Sequence, residues 1–173
     1  SDDDRVYCGN PFPKHEFSLN LEGSWKSFDF GLFFQGIAGN RVYNNIRAYN
    51  ESGAAIVNFS PKLLNSYSFN PNSDIPRLEW GGNNGNSWTY TDRWLENGSF
   101  LKLKTAQIGY ALPERIIKKL SLSKCRFSLA AENVFTITKF SGFSPDVNMG
   151  GNGISNAENF GFRVYHIGLE LNF

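Results

Sequence analysis

Polar and apolar residues alternate without a break from Glu16 to Glu22, with Phe17, Leu19 and Leu21 on one side and Glu16, Ser18, Asn20 and Glu22 on the other. A period of two belongs to a β-strand with one oily and one wet face. After Gly23-Ser24-Trp25-Lys26 the alternation resumes, with Phe28, Phe30, Leu32 and Phe34 against Ser27, Asp29, Gly31 and Gln35, which predicts an antiparallel hairpin. A third strand is predicted from Ser99 to Leu112. Leu101 and Leu103 share one parity there and Ile108 and Tyr110 the other, so a β-bulge near Thr105 must shift the register. Pro113 to Leu120 reads as a short helical turn with Pro in its first turn. A fourth strand spans Arg126 to Thr136, and the chain closes on Tyr165, Ile167, Leu169, Leu171 and Phe173 alternating with His166, Gly168, Glu170 and Asn172.

Between these strands the periodicity fails. Residues 37–97 collect Asn, Gly, Ser and Pro, and a second Gly/Asn-rich stretch runs from Ser141 to Gly161. Loops of that length count against a compact soluble domain, yet they are expected on the outer side of a membrane β-barrel, whose opposite side carries short turns. Short joints at Trp25-Lys26 and from Leu112 to Lys124 do alternate with the long ones. The strands are about ten residues long, as a tilted crossing of the hydrocarbon core requires. The fold expected is therefore all-β, a transmembrane antiparallel β-barrel of which this chain forms five strands. Its segments are an extracellular loop over 1–14, a hairpin over 15–36, an extracellular loop over 37–97, two strands and their periplasmic turn over 98–137, an extracellular loop over 138–160 and a terminal strand over 161–173.

Composition narrows the field. Aromatic residues make up 16% and charged residues 19% of the chain, a mixture suited to strands and turns. Lys+Arg 17 against Asp+Glu 16 leave a net charge of +1, which argues against a nucleic-acid partner. No apolar run reaches the eighteen or so residues of a transmembrane helix. The opening Ser1-Asp2-Asp3-Asp4-Arg5 has neither Met nor a leader pattern, and an internal start is expected. Cys8 and Cys125 fit no disulfide framework or zinc motif, and the strand directions set them on opposite sides of the membrane, unbonded.

Leu95-Glu96-Asn97-Gly98-Ser99-Phe100-Leu101-Lys102-Leu103-Lys104, continuing through Ile108-Gly109-Tyr110-Ala111-Leu112-Pro113, resembles a signature of the SusC/RagA-like TonB-dependent outer-membrane transporters. Gly9-Asn10-Pro11-Phe12-Pro13-Lys14, Phe33-Phe34-Gln35-Gly36, Glu132-Asn133-Val134-Phe135-Thr136 and Lys139-Phe140-Ser141-Gly142-Phe143-Ser144-Pro145 are similar to further family segments, and Ile167 to Phe173 resembles the family's last strand. The resemblance spans nearly the whole chain in order. It implies a barrel of about 22 strands with an N-terminal plug, this chain supplying roughly strands 18 to 22. It also implies nutrient import, glycan or oligopeptide, in the outer membrane of a Gram-negative, Bacteroidota-like bacterium. The implied partners are the remainder of the barrel and plug, a SusD-like surface lipoprotein acting as a lid, TonB through the absent N-terminal part, outer-membrane lipid and the outer-membrane assembly machinery.

Candidate sites are few. Trp80, Trp88, Tyr90 and Trp94 crowd the long loop, where aromatic rings either contact a ligand or the lid or pack within the loop itself. Tyr165, Ile167, Leu169, Leu171 and Phe173 form a terminal alternation that reads as an assembly signal, captured through its strand edge. Trp25, Phe28 and Phe173 suit an aromatic girdle at the lipid boundary. His15 and His166 have no companions at metal or catalytic spacing, and Asp2-Asp3-Asp4 suits a solvated turn better than a calcium loop. No enzyme, cofactor or metal is expected. The competing expectation is a soluble β-sandwich that binds carbohydrate through the Trp-rich loop, in which the apolar rows would pack on a second sheet.

Overall fold

The computed structural model describes residues 5–52, 58–78, 91–146, 152–156 and 161–173. In chain order its strands are β1 (His15–Trp25), β2 (Phe28–Ala38), β3 (Arg41–Asn44), β4 (Leu95–Asn97), β5 (Phe100–Ala111), β6 (Lys124–Thr138), β7 (Ile154–Ser155) and β8 (Val164–Asn172), with helices α1 (Asn45–Glu51) and α2 (Glu114–Lys119). The chain divides into a sheet unit, residues 14–38, 99–138 and 161–173, and a loop unit, residues 1–13, 39–98 and 139–160.

The sheet unit is one antiparallel sheet of five strands in the order β1-β2-β5-β6-β8. Its register turns sequence alternation into continuous cross-strand rows. On one face Gly23, Phe30, Ile108, Leu129 and Ile167 lie side by side, flanked by the row Leu21, Leu32, Ala106, Ala131 and Tyr165 and by the row Trp25, Phe28, Tyr110, Phe127 and Leu169. On the other face run Glu22, Gly31, Gln107, Ala130 and His166, next to Ser24, Asp29, Gly109, Ser128 and Gly168. The expected parity change falls between Leu103 and Thr105, where the β5–β6 register skips Lys104 on one strand and Asn133 and Val134 on the other. Asn133 takes φ 52 there, a left-handed conformation that Asn tolerates better than most residues. The long connections leave one end of the sheet, where His15 pairs with Ala38, Ile37 with Phe100, and Phe100 with Thr138. Lys26-Ser27 and the α2 turn close the opposite end.

The apolar rows are open. Phe30, Ile108, Leu129 and Ile167 are 46% to 86% exposed. Among the described residues no second sheet covers them, which removes the sandwich.

The loop unit contains more order than its composition suggests. The hairpin expected over 15–36 runs on to Ala38, and the aperiodic stretch 37–97 yields β3, α1, two short 3-10 helices at Pro61–Asn65 and Asp92–Trp94, and β4. Strand β3 pairs with β4 antiparallel and with β7 in parallel, joining segments that are far apart in sequence. Elements of two to seven residues are too short to show a period, so the pattern could not announce them. Their core is Tyr43, Ala48 and Trp94, with Leu95 and Ile154 packed against it.

Candidate functional site

The sheet's polar face is laced by side-chain pairs. Arg126 grips Asp29 with two hydrogen bonds, Nε to Oδ1 at 3.1 Å and Nη2 to Oδ2 at 2.5 Å. Lys124 meets Glu170 at 2.6 Å, and His166 meets Glu132 at 3.3 Å. Near the turn end of its apolar face, in the row from Trp25 to Leu169, the rings of Phe28 and Tyr110 meet at 4.7 Å between centroids, tilted 41° to each other. One face can thus sit against hydrocarbon while the other meets water, the division that a barrel wall needs. Tyr165, Ile167, Leu169, Leu171 and Phe173 all lie exposed on or just past β8, an edge strand.

In the loop unit the predicted aromatic cluster is divided. Trp80, Trp88 and Tyr90 lie outside the described residues, as do Asp2, Asp3 and Asp4. Trp94 is 0% exposed, with the guanidinium groups of Arg47 and Arg93 at 5.6 and 5.3 Å from its ring. It is the centre of the unit's core, and as folded it offers no surface to a ligand.

Beside it lies a polar network that sequence reasoning did not single out. Helix α1 starts because the Asn44 side chain accepts a hydrogen bond from the Arg47 backbone N–H at 3.0 Å. That turn aims Arg47 at two carboxylates, Glu51 one helical turn on at 2.9 Å and Glu96 of β4 at 3.0 Å. Glu96 also accepts from the Ser141 backbone N–H at 2.7 Å, the Ser141 hydroxyl at 2.7 Å and Asn44 Nδ2 at 3.2 Å. Lys62 completes the chain by pairing with Glu51 at 2.8 Å. Burial alone would raise the Glu96 carboxyl, but the hydrogen bonds from Ser141, Arg47 and Asn44 outweigh it and hold the group below the ordinary carboxylate range. Gly98 closes the same motif, since a Cβ there would collide with Asn40 and Val42. A cleft of about 340 Å³ lies alongside, lined in part by Arg47, Asn50, Glu51, Lys62 and Phe143. Its charges are spent on one another, so the network ties the loop segments together. The available signal was the Glu96-Asn97-Gly98 motif, which marks the family without revealing what Glu96 holds.

Among the described residues no three His, Cys, Asp or Glu side chains gather as a metal site. Cys8 and Cys125 are free thiols. No helix among the described residues is long and apolar enough to cross a membrane, which leaves crossing by strands untouched.

No protein-family model matches the chain. It is 32% identical over 146 residues to TonB-dependent receptor P3 of Formosa agariphila, covering 84% of this chain and 14% of that protein. TonB-dependent receptor P26 of the same organism is 31% identical over 158 residues, covering 90% of this chain and 16% of the relative. Among solved structures, the RagAB peptide importer in its closed-closed state superposes with a TM-score of 0.78 at 30% identity over 93% of this chain and 17% of that one. The chain is a segment of a SusC/RagA-like TonB-dependent receptor. A second RagAB structure, described as a peptide transporter, agrees with a TM-score of 0.75 at 30% identity over 89% of the segment. The segment spans less than a fifth of the length of these relatives, at 14% to 17%.

Proposed function

We propose that this receptor segment is wall and outer loop of a transporter that carries nutrients across the outer membrane, and that it supplies about the last five of some 22 barrel strands. The observation that carries the reading is the two-faced sheet. A row of Phe, Ile and Leu side chains about half exposed or more belongs in contact with acyl chains, and the opposite face of Gln, His, Ser and paired charges belongs to a wet bore. Strands β1 and β8 end the sheet as open edges, and in hydrocarbon each unpaired backbone group costs several kcal/mol, so both edges require neighbouring strands of the same barrel.

The partners follow from the family: the plug and remaining strands, TonB through a part outside this chain, the assembly machinery acting on β8, and a SusD-like lipoprotein over the outer loops. The solved neighbours are peptide carriers, which favours an oligopeptide over a glycan as cargo. Trp80, Trp88 and Tyr90 are the residues we assign to lid or ligand contact. Trp25, Phe28 and Phe173 are the residues we assign to the girdle, with Tyr110 beside Phe28. The reading is tested by fractionating cells that express the full-length protein. It predicts an outer-membrane protein that migrates as a compact barrel on unheated gels and co-purifies with a surface lipoprotein. Recovery as a soluble monomer would contradict it.

A further inference from the structure

The last strand of the sheet has a register that its apolar face cannot choose. Tyr165, Ile167, Leu169 and Leu171 pair with Ala131, Leu129, Phe127 and Cys125. Sliding β8 by one residue would turn its apolar side chains inward, and lipid forbids that. A two-residue slide that brings Ile167 opposite Ala131 puts another apolar side chain in each place and leaves every polar one on the polar face, whereas the opposite slide would set Arg163 on the apolar face. Whatever excludes this slide must act from the polar face or the strand ends.

On the polar face β8 makes the Lys124–Glu170 ion pair and a contact of His166 with Glu132, and all four side chains are about half exposed. Exposed pairs on flexible side chains select weakly. Two other contacts bear on the register. Gly168 faces Ser128, and a Cβ on it would collide with Ser128 Oγ, so a slide that brought His166 or Glu170 opposite Ser128 would force a larger side chain into that space. At the head of the strand, Asn133 occupies the bulge at φ 52 and its Nδ2 donates to the Phe162 carbonyl at 2.9 Å. The β6–β8 ladder stops beside it, at Glu132 opposite Val164.

We infer that Asn133 is a positioning residue that pins the register of β8, the bulge aiming its amide so that the strand starts at Val164, with Gly168 against Ser128 as the second check. The inference rests on the apolar face lying in lipid, because only there is the two-residue slide silent on that face.

Cysteine pairs read the register directly. In the full-length protein with its native cysteines replaced by Ser, Ala131→Cys is combined with Tyr165→Cys, its native partner, or with Arg163→Cys or Ile167→Cys, its partners after a slide. Disulfide formation is then followed in outer membranes. With Asn133 present, the native pair closes and the slid pairs do not. Asn133→Ala, which loses both the donor and the tolerance for the bulge, should raise the slid pairs about fivefold against the native pair, the worth of one net hydrogen bond. Asn133→Asp keeps the backbone preference but cannot donate, and Asn133→Gly keeps the φ without the amide; both should slip, and they report even if Asn133→Ala fails to assemble. An unchanged ratio in membrane-inserted variants overturns the assignment and leaves the barrel reading intact. Absence of the parent protein from the outer membrane would overturn both.

Discussion

The two units of this chain bury opposite things. In the loop unit Trp94, the largest fully buried side chain among the described residues, is sealed inside, and Tyr43 and Ala48 pack with it as in any water-soluble fold. In the sheet unit Phe30, Leu129 and Ile167 stand outward, and the space between strands is filled by ladder hydrogen bonds. The loop unit does expose single apolar residues such as Leu64 and Phe69, which is ordinary; an unbroken row across five strands is not. On the proposed reading one polypeptide is built for two solvents: the hydrophobic effect organises the part that meets water, and backbone pairing organises the part set against lipid.

That contrast can be broken from either side. Trp94→Ala empties the loop core and should cost that unit about 3–5 kcal/mol. Proteases should then cut within residues 39–98 while the barrel still resists unheated detergent. Ile167→Arg places a charge on the outward row and should destabilise the barrel by about 2–4 kcal/mol if the site lies near the bilayer midplane. Gln107→Arg, on the polar face, should change denaturant unfolding in liposomes little.

Glu96→Gln tests the tie within the loop unit. It should cost about 1.5–3 kcal/mol, the range for hydrogen bonds to a charged group, read as faster proteolysis of the outer loops. The pH dependence has a definite sign. The folded-state pKa of Glu96 is depressed, so its contribution is full above the ordinary carboxylate value of about 4.5 and is lost as pH falls through the folded value. Protease resistance of the loops should decline below that pH in the parent, and the decline should flatten in Glu96→Gln. The smallest effect belongs to Lys118→Ala, which removes an exposed pair with Glu114 and should alter stability by less than about 0.5 kcal/mol.

What the sequence revealed divides along the same line. Strands β1, β2, β5, β6 and β8 were legible because each is long and feels a different solvent on its two faces, so alternation records its geometry directly. Even the bulge at Lys104 left a trace, as a parity change between Leu103 and Ile108. The loop unit was opaque because its elements are short and its order comes from particular partners: Asn44 capping α1, Glu96 receiving Ser141, and β3 pairing with the distant Ile154. Trp94 illustrates the difference. Composition gave it two roles, contact or packing, and only its burial under Arg47 and Arg93 distinguishes them.

The most direct test of the central claim is a cysteine scan of β6 from Arg126 to Ala131 in the full-length protein, with spin labels and collision with oxygen or a water-soluble nickel chelate as readout. The account predicts strict alternation, oxygen reaching labels at positions 127, 129 and 131 and the chelate reaching those at 126, 128 and 130. Labels at 127 and 129 shielded from both reagents, or as open to the chelate as their neighbours, would contradict it.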